Sequence, residues 1–133
     1  MMKKIVKNQR GLTLIELLAV IVILGIIAAI AVPAVNAIMN KSKEDALVVE
    51  ARNVVNAAKM YVADKKPGTN VTFSKTAKDQ KDHTLADYLD NAPDTYSLIV
   101  TYDTTKSDYT YGNVTLKKDD KSGTYDSATF KKQ

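Results

Sequence analysis

Apolar residues form one long uninterrupted block near the start of this chain. From Leu17 to Val35 every residue is apolar, Gly or Pro, over 19 positions. At a rise of about 1.5 Å per residue, a helix over this block is roughly 28 Å long, which matches the hydrocarbon thickness of a bilayer. The block therefore predicts a helix that can span a membrane.

After this block the apolar positions become periodic. They return at steps of mostly three and four residues, with charged residues between them, which predicts an amphipathic helix. The helix should end at Lys66, because Pro67 disfavours helix at the residue before it and Gly68 suits a turn. We expect the apolar stripe to face the core of a small head domain. The stripe consists of Val35, Ile38, Ser42, Ala46, Val49, Val55, Ala58 and Val62.

The C-terminal part of the chain has the pattern of a small sheet. Residues 69–83 are polar and are expected to form an exposed loop, and the capping-box spacing at Thr84 predicts a short helix after it. Three segments rich in Tyr, Thr, Val and Ile predict strands, namely Tyr96–Tyr102, Tyr109–Leu116 and Thr124–Phe130. The predicted fold class is α+β, with a long N-terminal helix packed on a small antiparallel three-stranded sheet.

The positive charge of the chain is concentrated ahead of Gly11. The 133 residues include 19 Lys and Arg against 15 Asp and Glu. Four basic and no acidic residues precede Gly11, so the remainder carries 15 of each and a formal charge of zero. This asymmetry predicts a cytoplasmic N-terminus and an external C-terminal domain. Bulk charge gives no argument that this domain binds nucleic acid. The four basic residues are Lys3, Lys4, Lys7 and Arg10.

Glu16 is the one ionisable residue close to the apolar block. A charged side chain inside hydrocarbon costs roughly 2.5–3.5 kcal/mol even on mild insertion scales, so it suggests a function and needs a partner. The simpler alternative is a carboxylate near the interface that reaches back to water.

The order of a basic leader, Gly11, Glu16 five residues later and a long apolar run with Pro33 resembles the prepilin signal of type IV pilins and type II secretion pseudopilins. The resemblance implies that a prepilin peptidase in the membrane cuts between Gly11 and Leu12 and N-methylates the new terminus. Leu12 replaces the Phe that is most frequent in the family. Without that resemblance, the apolar block also suits an uncleaved anchor or a secretory signal cut after Ala31.

The resemblance also implies how the subunit assembles. The Leu12 amine of one subunit would pair with Glu16 of its neighbour in a helical homo-oligomer that an assembly platform protein builds. The stretch between Gly25 and Pro33 would unwind in the filament, whereas Pro33 alone predicts a kink or a local break.

The implied division of the chain is a leader (1–11), a transmembrane or filament-core helix (12–35), an amphipathic helix (36–66) and a globular head (67–133). The implied protein is a non-enzymatic subunit, first in the plasma membrane and then in a surface filament. The short head without cysteine resembles chains from Gram-positive bacteria, which implies competence or adhesion systems rather than secretion. The alternative is a tethered or secreted binding domain that never polymerises.

Two further ligands deserve a test. Major secretion pseudopilins carry a calcium-binding loop near the C-terminus, and Asp119, Asp120 and Asp126 form an oxygen-rich segment there. This segment lacks the alternation of an EF-hand, so a solvated turn without metal is the favoured interpretation. Lysines near Tyr125 and Phe130 could contact DNA, but the same three aspartates interrupt that patch.

Overall fold

The computed structural model describes residues 9–75 and 82–133. Over these residues the chain forms one long helix followed by a five-stranded sheet. The predicted α+β class is confirmed. The leader residues Lys3, Lys4 and Lys7 lie outside the described residues. The elements are α1 (Gln9–Lys65), β1 (Val71–Ser74), β2 (Asp82–His83), β3 (Thr95–Asp103), β4 (Asp108–Lys118) and β5 (Lys121–Tyr125).

Helix α1 ends within one residue of the predicted position. The Lys66 N–H donates to the Val62 carbonyl at 2.9 Å. Lys66 and Gly68 then have positive φ angles of 43° and 62°, on either side of Pro67. A left-handed residue after the last turn is a common way to stop a helix, and glycine adopts this conformation without steric cost.

The chain divides into two compact units, one ending at Lys41 and the other comprising Ser42–Gln133. In the first unit, every described side chain from Thr13 onward is exposed. The second unit has a hydrophobic core of its own, in which the α1 side chains pack with the inner face of the sheet. The helix contributes Leu47, Ala51, Val54, Val55, Ala57, Ala58 and Val62 to this core.

Part of the predicted apolar stripe lies on the wrong face of the helix. Val55, Ala58 and Val62 are buried as expected, but Ala46 and Val49 are exposed. The buried positions start at Leu47 and recur at 51, 54, 58 and 62, which is the same helical period shifted around the helix axis. Both Leu47 and Val49 are apolar, so the local pattern did not determine which of them faces the sheet.

The sheet has the strand order β2-β1-β3-β4-β5. Neighbouring strands are antiparallel, except that β1 and β2 are parallel. Along β3, buried Tyr96, Leu98 and Val100 alternate with exposed residues. This period of two places one face of the strand on the core and the other in solvent.

Three details of the predicted head are wrong. The sheet has five strands rather than three, because residues 69–83 contain β1 and β2 instead of only a loop. Strand β1 is recognisable in retrospect, since Val71 and Phe73 are buried and alternate with half-buried Thr72 and Ser74.

The short helix predicted at Thr84 is the second of these errors. The Leu85 N–H donates to the Tyr96 hydroxyl at 2.9 Å, and only one turn follows, closed by the Tyr88 N–H on the Leu85 carbonyl. The buried Leu85 side chain and this hydrogen bond hold the segment against β3, and a single turn lies where the helix was predicted.

The third error concerns the last strand, predicted over Thr124–Phe130. Strand β5 instead begins at Lys121, after a two-residue turn in which Asp119 has a φ of 53°. Beyond β5 the chain turns and pairs back, with a bridge from Lys132 to Tyr125 and a hydrogen bond from the Gln133 N–H to the Thr124 carbonyl at 2.9 Å. In this cysteine-free chain, backbone pairing thus holds the C-terminus.

Candidate processing and assembly segment

The predicted cleavage bond lies in the first turn of α1. Gly11 and Leu12 are both helical in backbone, two and three residues after the helix begins at Gln9.

The apolar surface that follows is exposed on all sides. The large side chains between Val20 and Ile30 are 49% to 70% exposed. The helix is long and apolar enough to cross a membrane, with a mean hydropathy of 3.0 in its most apolar window and none of that window buried. An exposed apolar surface of this size needs a lipid or protein environment, because in water it would drive association.

Glu16 lies one helical turn beyond Leu12. Residues four apart share a face of a helix and are separated by about 6 Å along its axis. The Glu16 side chain is exposed, and it takes part in none of the salt bridges among the described side chains. The chain thus presents a carboxylate at the edge of its apolar surface.

Gly25 and Pro33 both lie inside α1. The helix is continuous through Pro33, so the predicted local break is absent, and the kink stays a prediction. A Cβ built on Gly25 would meet no atom within 4 Å. Packing among the described residues therefore requires neither of them.

A family model supplies the deciding observation. Residues 6–32 match the model described as the prokaryotic N-terminal methylation motif. This segment supports the type IV pilin and pseudopilin family. The match contains Gly11, Leu12, Glu16 and Gly25 and ends just before Pro33. No curated protein and no solved structure matches the chain.

The match supports a protein of prepilin type, and the family that carries this motif is structural and non-enzymatic. An apolar N-terminal helix and a prepilin motif fit a membrane-anchored protein. The head domain lies outside the matched residues, so the match gives no information about its surface.

The three aspartates considered for calcium are not brought together in the head. Asp119 and Asp120 form the turn before β5, whereas Asp126 follows its other end. Among the described residues, no group of three or more His, Asp or Glu could hold a metal ion. Asp120 instead pairs with Lys43 at 3.2 Å, and this hydrogen bond lowers the pKa of the Asp120 carboxyl.

Asp126 closes the turn after β5. One of its carboxylate oxygens accepts hydrogen bonds from the N–H groups of Thr129 at 2.7 Å and Ala128 at 3.1 Å, and from the Thr129 hydroxyl at 2.9 Å. The bonds from Thr129 are the main cause that lowers the pKa of Asp126. The sequence marked Asp126 as a weak candidate for a metal ligand. In the structure its carboxylate holds the C-terminal turn.

Two further contacts of charged side chains in the head were not predicted. Lys118 on β4 donates to Glu50 on α1, and this hydrogen bond raises the pKa of Lys118. Tyr88 donates to Asp64 at 2.7 Å, and that bond, with the neighbouring Lys65, lowers the pKa of Asp64. Lys118 and Glu50 are 68 residues apart, so no local sequence pattern could have paired them.

Proposed function

We propose that this chain is a structural subunit of a type IV pilus or pilus-like filament. A prepilin peptidase removes residues 1–11 and methylates the Leu12 amine. The mature subunit stays in the plasma membrane, with its head outside, until an assembly platform protein moves it into a helical filament of identical subunits. The filament then lies at the cell surface.

The observation that supports this proposal most is the coincidence of motif and exposed surface. The methylation motif covers the same helix whose large side chains between Val20 and Ile30 are about half or more exposed. In the membrane, lipid covers this surface. In the filament, the same surface of neighbouring subunits covers it, so a single apolar helix serves both states.

Glu16 gives the assembly its register in this proposal. A carboxylate surrounded by apolar helices is costly unless a positive charge meets it, and a paired charge mainly enforces a specific alignment. The free amine at Leu12 exists only after cleavage. Processing and assembly are therefore coupled, because an uncleaved subunit lacks the partner for the Glu16 of its neighbour.

Intact-mass measurement of the full chain tests the processing step. The chain is expressed in membranes with and without a prepilin peptidase. We expect loss of residues 1–11 and the mass of one methyl group only when the peptidase is present. Gly11→Val should block the cut because its branched side chain crowds the scissile bond, whereas Gly25→Val, the matched control on the same helix, should be cut normally.

Two other products would contradict the proposal. A mature protein that begins at Val32 would identify an ordinary secreted domain, and an uncut chain in the presence of an active peptidase would identify a simple membrane anchor. Either result would favour a binding domain that does not polymerise.

A further inference from the structure

A polar cleft lies on the head, where one face of α1 meets residues 88–91. Its volume is about 380 Å³, which is within the size range of clefts that hold small ligands, roughly 300–1,000 Å³. Residues 50, 53, 57 and 60 follow one another at steps of three and four and therefore share one face of the helix. The side chains that matter for recognition are Glu50, Asn53, Asn56 and Met60 from α1, with Asp90 and Asn91 opposite.

The lining contains groups that both donate and accept hydrogen bonds. Each of its three asparagine amides offers two donors and an acceptor, and Asp90 adds an acceptor. Among the described residues that line the cleft, none is Lys, Arg or His. A phosphate or carboxylate ligand would therefore meet no positive charge in the lining, whereas hydroxyl groups would find both kinds of partner.

The cleft also has an apolar part. Met60 is 58% exposed, and Leu89 lies among the lining residues. Tyr88 forms part of the wall and is held in place, because its hydroxyl donates to Asp64 and its ring packs edge-on against Tyr61 at 5.8 Å. A ligand with one apolar face and several hydroxyl groups matches this combination.

Glu50 provides a second, independent observation. One of its carboxylate oxygens accepts the hydrogen bond from Lys118, while the other is buried and accepts none from the described residues. A buried polar atom without a partner is unusual in a folded protein and calls for an explanation. Because Glu50 is among the lining residues, a hydroxyl group bound in the cleft is a candidate donor for this oxygen.

From these features we infer that the cleft binds a neutral sugar of one or two units. The sugar hydroxyls would bond to Asn53, Asn91 and Asp90, and the apolar face of the ring would lie against Met60 and Leu89. This binding activity goes beyond the filament function and does not depend on assembly, since all the residues involved belong to one subunit.

Saturation-transfer NMR and calorimetry on the full chain test the inference. The chain is kept in phosphocholine micelles, whose headgroup carries no sugar. The probes are glucose, galactose, N-acetylglucosamine and N-acetylgalactosamine, with glucuronic acid as the anionic comparison. We expect at least one neutral sugar to bind at millimolar concentration or below, and glucuronic acid to bind more weakly than its neutral counterpart.

Variants then locate the site. The double variant Asn53→Ala/Asn91→Ala removes two amides from exposed positions and should weaken sugar binding about tenfold or more. Asn113→Ala, an equally exposed asparagine on β4 outside the cleft, should leave the affinity unchanged. Failure of all four neutral sugars to bind, stronger binding of glucuronic acid, or unchanged affinity of the double variant would overturn the inference. Each of these results is independent of whether the chain polymerises.

Discussion

The substitution Glu16→Gln separates the role of this carboxylate in assembly from any role in folding. Glutamine keeps the size of the side chain and removes its charge. Because Glu16 is exposed and takes part in none of the salt bridges among the described side chains, we expect the free energy of unfolding to change by no more than about 0.5 kcal/mol. Membrane insertion and cleavage at Gly11 should also proceed normally.

The expected effect on the filament is much larger. In the proposed filament the glutamine would leave the Leu12 amine of the neighbouring subunit buried without a counter-charge. Removing one partner of a buried ion pair costs about 3–5 kcal/mol. At about 1.4 kcal/mol per factor of ten, even the lower value raises the free-subunit concentration needed for assembly by more than about a hundredfold.

Filament yield measures this effect directly. Filaments are sheared from cells that express the chain with its peptidase and assembly platform, and the sheared and membrane fractions are compared by immunoblot. Glu44→Gln is the matched control, because Glu44 is an exposed residue of the same helix beyond the apolar block. Normal filament yield from Glu16→Gln, or an equal loss from Glu44→Gln, would refute the reasoning.

Three further predictions concern the stability of the head, measured by unfolding the full chain in micelles. Lys118→Met should lower the free energy of unfolding by about 2 kcal/mol, which is less than the loss of a fully buried ion pair because Lys118 is 31% exposed. Adding Glu50→Gln should recover at least half of this loss, because the unpaired charge is then removed. Additive losses from the two substitutions would count against the pairing. Gly123→Ala should lower the free energy of unfolding by about 1–3 kcal/mol, because the new Cβ would lie 2.7 Å from the ring of buried Tyr125. An unchanged melting midpoint would disprove this close approach. The pKa of Asp126 is lower in the folded than in the unfolded protein, so its carboxylate stabilises the fold above the unfolded pKa near 3.9. This stabilisation is lost as the pH falls through the folded pKa, and the melting midpoints of wild type and Asp126→Asn should therefore converge in acid. A difference in midpoint that stays constant with pH would contradict this.

The features predicted correctly are those that a local pattern specifies. Helix α1 follows from a long apolar block, a helical period and the stop at Pro67, and β3 and β4 follow from segments rich in Tyr, Thr, Val and Ile. The candidate processing site also rests on a local pattern, since Gly11, Leu12 and Glu16 lie within six consecutive positions, and it stays a prediction. Such signals do not depend on how distant parts of the chain meet.

The errors arose where a distant contact determines the local structure. Strand β1 has only four residues, and β3 completes its hydrogen bonding through the pairing of Phe73 with Leu98. At Leu85 a hydrogen bond from its N–H to the hydroxyl of Tyr96 joins the segment to β3, which the pattern around Thr84 does not indicate. The polar cleft likewise depends on distant residues, because Asn53 and Asn91 both line it although 38 positions separate them in the sequence.

The identity of the subunits in isolated filaments tests the central proposal most directly. Filaments are purified from the cell surface, and the N-terminal peptide of their subunit is sequenced by mass spectrometry. The account predicts this chain, beginning at an N-methylated Leu12, as a repeating component of the filament. Recovery of the chain only in the membrane with its leader intact, or only as a soluble protein that begins at Val32, would contradict it.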